Sequence, residues 1–137
     1  MIAVFLFYNS GIGKYNLFTF SKKLVHCALL CFQGDHCILF EIAPSGFNYR
    51  ILRSNDINKN LDNIKNLPML TSFIVTFIKK PKKVREFPIK WYTCNEVCRY
   101  FSGIDIGWTF NPRHLYQKLF RYKDRTNYEL LAHWRRA

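Results

Sequence analysis

The chain has 137 residues, 49% apolar and 18% aromatic, and a formal net charge of +12 from 21 Lys and Arg against 9 Asp and Glu. That length suits one domain over residues 1–137, able to bury about two-thirds of the surface its unfolded form exposes. The composition excludes a disordered tail, a low-complexity linker and an internal repeat, and five cysteines without a signal-peptide pattern point to free thiols in a reducing compartment.

The opening run MIAVFLFY has no basic segment before it and no small-residue cleavage site after it, and it falls well short of the roughly 20 residues a membrane span needs. A buried strand over residues 2–8 is expected, and no membrane span. GIGKYNLFTFSKK then allows a short helix after a Gly-rich turn. LVHCALLCF and HCILFEI are strand-like runs separated by Gly34 and Asp35, which predicts a tight hairpin with Gln33 facing His36. PSG marks the next turn and FNYRIL a third strand. Apolar residues at 57, 61, 64 and 67 have helical spacing, with Asn55 or Asp56 as N-cap and Pro68 just beyond the end. SFIVTFI and VREFPIKWY read as strands joined across KKPKK. Three helices follow: one opening at Cys94, one near Pro112, and a basic C-terminal helix from about Thr126. The sum is an α+β fold, an antiparallel β-sheet flanked by helices.

The positive charge concentrates in IKKPKKVREFPIK and FRYKDRTNYELLAHWRRA. Such a field favours polyanions such as nucleic acid, anionic cell-wall polymer or an acidic protein surface, and it singles out none of them. A plain solvated basic surface fits equally well, and zinc-finger spacing, an RNP motif and a helix-turn-helix pattern are all missing.

The stretch WYTCNEVCRY holds two cysteines four residues apart. Thr93 followed three residues later by Glu96 is a capping box, which makes Thr93 the N-cap and Cys94 the first helical residue. A thiol there meets unpaired amide groups and the positive end of the helix dipole, both of which favour thiolate. Cys98, one turn on beside Val97 and Phe101, reads as a small buried hydrophobe. Taken alone, Cys94 fits a nucleophile and an inert structural thiol equally well. A cysteine nucleophile needs a base, usually histidine. His114 and His133 fall on expected helices with polar neighbours, and His36 sits at the hairpin turn. His26 alone begins an apolar strand, where a rigid element would hold its ring. The hairpin register places Ala28 opposite Glu41 and His26 opposite Ala43, so Glu41 lies diagonally from His26 on one sheet face, roughly 7–8 Å away between backbones. A carboxylate there orients an imidazole and fixes its tautomer.

The order of these pieces resembles the circularly permuted papain-like proteins of the NlpC/P60 superfamily, above all small phage-encoded members. The resemblance rests on a strand MIAVFLFY, then GIGKYNLFTFSKKLVHCALLCF, a glutamate on the returning strand, and finally TCNEVCRYFSGIDIGWTFNPRHLYQKL. It covers nearly the whole chain, with two departures: Val25 before the histidine, and Phe110 and Asn111 inserted between Thr109 and Pro112. It implies a permuted papain-like fold with Cys94 as nucleophile, His26 as base and acid, Glu41 as orienting group and the Cys94 amide beside the developing oxyanion. The implied chemistry is thiolate attack on an amide or ester carbonyl, in peptidoglycan peptides or a protein substrate, without cofactor or metal. Trp91, Tyr92 and Trp108 would line a substrate groove, at least one tryptophan belonging instead to the core. Other virion or tail proteins are the implied partners, with the host cytoplasm during assembly and then the tail as location.

Two other readings stay open. A zinc site on Cys94 and Cys98 with Cys27, Cys31 or Cys37 has loose spacing, and the hairpin register turns Cys27 and Cys31 away from Cys37. A non-catalytic virion or assembly protein could use the same fold and basic surface to bind partners.

Overall fold

The computed structural model describes residues 1–9, 26–43, 46–82, 93–122 and 126–137. Among these, β1 (Ile2–Tyr8) is the strand around which the rest assembles. A strand covered on both faces reads as a near-continuous apolar run, and the five central residues of IAVFLFY are all buried. β1 pairs antiparallel with β2 (His26–Gln33) on one side and β5 (Leu70–Ile78) on the other. With β3 (His36–Ala43), β4 (Gly46–Ile51) and β6 (Tyr128–Arg135), the described strands form a six-stranded sheet in the order β4-β3-β2-β1-β5-β6. Each neighbouring pair is antiparallel, and with three helices beside it the fold is α+β.

The pleat divides the apolar residues between two layers. Ala3, Phe5, Phe7, Cys27, Leu29, Cys31 and Ile74 meet the side chains of α2 (Cys94–Ser102) and α3 (Pro112–Arg121), chiefly Cys98, Leu115 and Leu119. Val4, Leu6, Ala28, Leu30, Cys37, Phe73 and Val75 face the other way, where Ile57, Leu61 and Ile64 of α1 (Ile57–Lys65) cover them. The helical spacing at 57, 61 and 64 is therefore the stripe that docks.

Local chemistry sets the boundaries. Gly34 adopts φ 55° in the β2–β3 turn, and the register runs as expected from Gln33↔His36 to Leu29↔Phe40. Asp56 is the α1 N-cap, accepting from the Lys59 amide at 3.3 Å. At α3 the Asn111 side chain accepts from the His114 amide at 2.8 Å, and Pro112 fills the first helical position, where a missing N–H costs nothing.

One expected element is overturned: the C-terminal segment is the strand β6, not a basic helix. The open edge of β5 offers a full row of backbone partners, and the pairing runs from Ile78↔Tyr128 to Ser72↔Arg135. A register shift between Val75 and Thr76 changes which residues face which layer. Tyr128 and Leu130 pack with the α3 side, and after the shift His133 still meets Tyr116 and Phe120 while Trp134 stacks on Phe73. Sheet pairing thus overrides a helix propensity that is only a weak prior. His133 accordingly stands on a strand rather than a helix. The expected short helix within residues 11–23, Val25, the strand expected over residues 84–92, and with it Trp91 and Tyr92, lie outside the described residues.

Candidate active site

Helix α2 starts at the expected residue for the expected reason. The Thr93 hydroxyl accepts from the Glu96 amide at 3.3 Å, which sets Cys94 at the first turn. The helix ends at Gly103, whose φ of 68° is left-handed and where an added Cβ would come within 2.7 Å of Pro81 Cβ. A residue with a side chain is thus excluded there twice over, by backbone angle and by space.

Docking of α2 on the sheet gathers three sulfurs. Cys98 is fully buried and donates to the Cys27 sulfur at 3.7 Å, as its assignment to the core requires. Cys94 is half-buried and packs against the buried cluster that holds Cys27 and Cys98, with the Cys27 thiol and backbone and the His26 ring near enough to act on its sulfur. These contacts hold the Cys94 thiol well below its ordinary range. The Cys27 thiol makes the largest contribution, burial works against it, and the hydrogen bond and charge of His26 add to the lowering. Cys27 goes the other way: burial first, then its hydrogen bonds to Cys94 and Cys98, push it well up, so it keeps its proton. The outcome is one sulfur that favours thiolate and a buried neighbour that donates to it.

His26 is buried at the first position of β2. Strict alternation sends His26 and Cys27 to opposite faces, yet both reach Cys94. Cys27 lies on the α2 face with Leu29 and Cys31, and His26 acts on the Cys94 sulfur from the first position of the strand. Tyr8, paired with His26 across β1 and β2, lays its ring against the imidazole with centroids 5.7 Å apart. Burial raises the Tyr8 phenol, the charge of Glu41 raises it further, and the hydroxyl therefore remains a proton donor at all ordinary pH. Glu41 sits on β3 opposite Asn48, close enough to act on Tyr8. The structure thus brings Cys94, His26 and Cys27 together, with Tyr8 against the imidazole and Glu41 beside Tyr8.

Trp108 is 55% exposed and meets the 67% exposed Phe110 edge to face, centroids 4.0 Å apart. The turn between them is tied to α2 through Asn95, the residue after Cys94, whose buried side-chain amide donates to the Thr109 carbonyl at 2.8 Å and its hydroxyl at 2.7 Å. Lys118 donates to the Ile106 and Trp108 carbonyls at 3.1 and 2.6 Å. Trp108 is therefore a held surface aromatic and not core.

Sequence reasoning missed Tyr8, Cys27 and Asn95. Tyr8 and Cys27 look like strand filler in an apolar run, and Asn95 carries no signal apart from following the cysteine. No family model, curated protein or solved structure matches this chain. Among the described residues, no group of three or more His, Cys, Asp or Glu side chains is arranged to hold a metal ion, and no helix is long and apolar enough to cross a membrane.

Proposed function

We propose that the protein is a thiol hydrolase of the permuted papain-like kind, similar to the NlpC/P60 superfamily, that attacks amide or ester carbonyls, with peptidoglycan stem peptides as the first substrate class to try and a phage tail or virion as its setting. The observation that carries the reading is Cys94 in the first turn of a capped helix, packed on the buried cluster at the head of β2 that His26 begins, with the imidazole helping to pull its thiol down. The chain order of histidine, glutamate and cysteine supports it as well.

In this reaction the Cys94 sulfur forms a bond to the carbonyl carbon, and the π pair moves to oxygen. The first-turn amide groups of α2, which have no intrahelical partner, point toward that oxygen. His26 passes a proton to the leaving nitrogen or oxygen as its bond to carbon breaks, leaving an acyl group on sulfur. Water then attacks, giving its proton to His26, and the C–S bond breaks to restore the thiolate. Tyr8 packs the imidazole in place, and Glu41 is the carboxylate that orients the ring. Trp108 with Phe110 supplies an aromatic wall beside the helix start.

The test is a peptide carrying an acyloxymethyl ketone warhead, together with turnover of purified stem peptides. Labelling of Cys94 alone, lost in His26→Ala with the fold retained, is the expected result. An unlabelled Cys94 in a folded chain refutes the reading and leaves the partner-binding alternative, in which the basic surface does the binding.

A further inference from the structure

The proposed mechanism uses one of the three clustered sulfurs and leaves two unexplained. Cys27 and Cys98 are both fully buried, whereas Cys94 is half-buried, so a small oxidant from solvent meets Cys94 first. Cys94 packs against the buried cluster that contains Cys27, one helical turn before the Cys98 sulfur that meets Cys27 at 3.7 Å. Cys37 lies on the opposite layer of the sheet, too far round to take part, and Cys98 contacts Cys27 at 3.7 Å from behind.

From this placement we propose that Cys27 is a resolving thiol: a peroxide converts Cys94 to a sulfenic acid, and Cys27 condenses with it to a Cys27–Cys94 disulfide that closes the site reversibly. In the first step the Cys94 thiolate takes the distal oxygen of the peroxide, sulfur is oxidised by two electrons, and hydroxide or alkoxide leaves. In the second the Cys27 sulfur attacks the sulfenic sulfur, the S–O bond breaks, and the thiol proton leaves with the oxygen as water. The inference rests on Cys94 being the reactive thiol of the proposed hydrolase.

The geometry favours this route over further oxidation. A sulfenic acid with no thiol beside it proceeds to sulfinic and sulfonic acids, which thiols do not reverse. Here the resolving sulfur belongs to the buried cluster against which Cys94 already packs, and the link requires the two sulfurs to approach to about 2.05 Å. β2 and α2 are packed elements, so the bond forms without moving a loop.

The experiment treats the reduced full-length protein with one equivalent of hydrogen peroxide, blocks the remaining thiols and maps them by mass spectrometry, after first comparing the alkylation of Cys94 with that of Cys98. The expected result is loss of two hydrogens, a linked Cys27 and Cys94 peptide pair, and recovery by dithiothreitol. Cys98→Ser should still form the link. Cys27→Ser, with Cys27→Ala as a second variant should either misfold, should lack it and carry at least about tenfold more sulfinic or sulfonic Cys94. A wild-type protein in which Cys94 alkylates rapidly but peroxide gives sulfinic acid, or a link from Cys27 to Cys98, overturns the inference and leaves the nucleophile intact. A Cys94 that alkylates no faster than Cys98 removes the foundation of both.

Discussion

Cysteines buried in the two layers of the sheet respond to burial in the same way, and one cysteine departs from them. On the α1 side, Cys37 is pushed up to about 11 by burial alone. On the α2 side, away from the helix start, Cys31 is pushed up to about 12, again mainly by burial. Cys94 shares that layer and also loses solvation, yet it is pulled well down. Burial by itself favours the neutral thiol, so what separates Cys94 is the set of donors aimed at its sulfur. Cys98, four residues on, is fully buried against Cys27 at 3.7 Å and out of solvent's reach.

The largest effect that would break this contrast is loss of the proposed nucleophile. Cys94→Ala should reduce turnover of any accepted amide or ester by at least about a thousandfold, measured as kcat against a variant of retained fold, while Cys37→Ala leaves turnover unchanged. Next is the shared core between the layers: Leu29→Ala, fully buried on β2, should cost about 2–5 kcal/mol in urea unfolding. Thr93→Ala removes the cap that sets Cys94 at the helix start, costs about 1 kcal/mol, and moves the onset of Cys94 alkylation to higher pH. Trp108→Ala, at an exposed position, should stay within about 0.5 kcal/mol of wild-type stability and raise KM for peptide substrates.

The pH dependence of stability follows from the same contrast. Cys31 and Cys37 keep their protons in the folded chain, whereas the unfolded chain releases them near about pH 8.5. Their folded values are raised, so their contribution is complete below about pH 8.5 and lost as pH climbs toward 11 and 12. Cys94 has the opposite sign: its contribution is complete above its unfolded value and is lost as pH falls through its lowered one. Urea melts in reductant at pH 7 and 10 should show the decline at the higher pH, and Cys37→Ala should flatten it.

Much of the fold was legible because it is written in local chemistry. Gly34 and Asp35 mark the hairpin, Thr93 and Asn111 mark helix starts, and residues 57, 61 and 64 mark a docking stripe. The C-terminal strand was not legible, because YELLAHWR becomes a strand only when the β5 edge is present to pair with it, and a register shift disguises its alternation. Of the candidate site, the placement of Cys94 at a capped helix and of His26 on a strand was legible. Cys27 was not legible as part of it, since only the docking of α2 reveals that the face of β2 carrying Cys27, Leu29 and Cys31 is the one that meets Cys94. Glu41 was expected to orient His26; the structure lays Tyr8 against the imidazole and sets Glu41 near enough for its charge to raise the Tyr8 phenol.

The most direct test of a donor-held thiolate at Cys94 is its iodoacetamide reaction rate from pH 5 to 10, followed residue by residue by mass spectrometry in wild type and His26→Ala. The expected profile for Cys94 stays high well below pH 8, its midpoint rises in His26→Ala, and Cys31, Cys37 and Cys98 stay slow throughout. A Cys94 profile that rises only near the ordinary thiol range and ignores His26→Ala would contradict it.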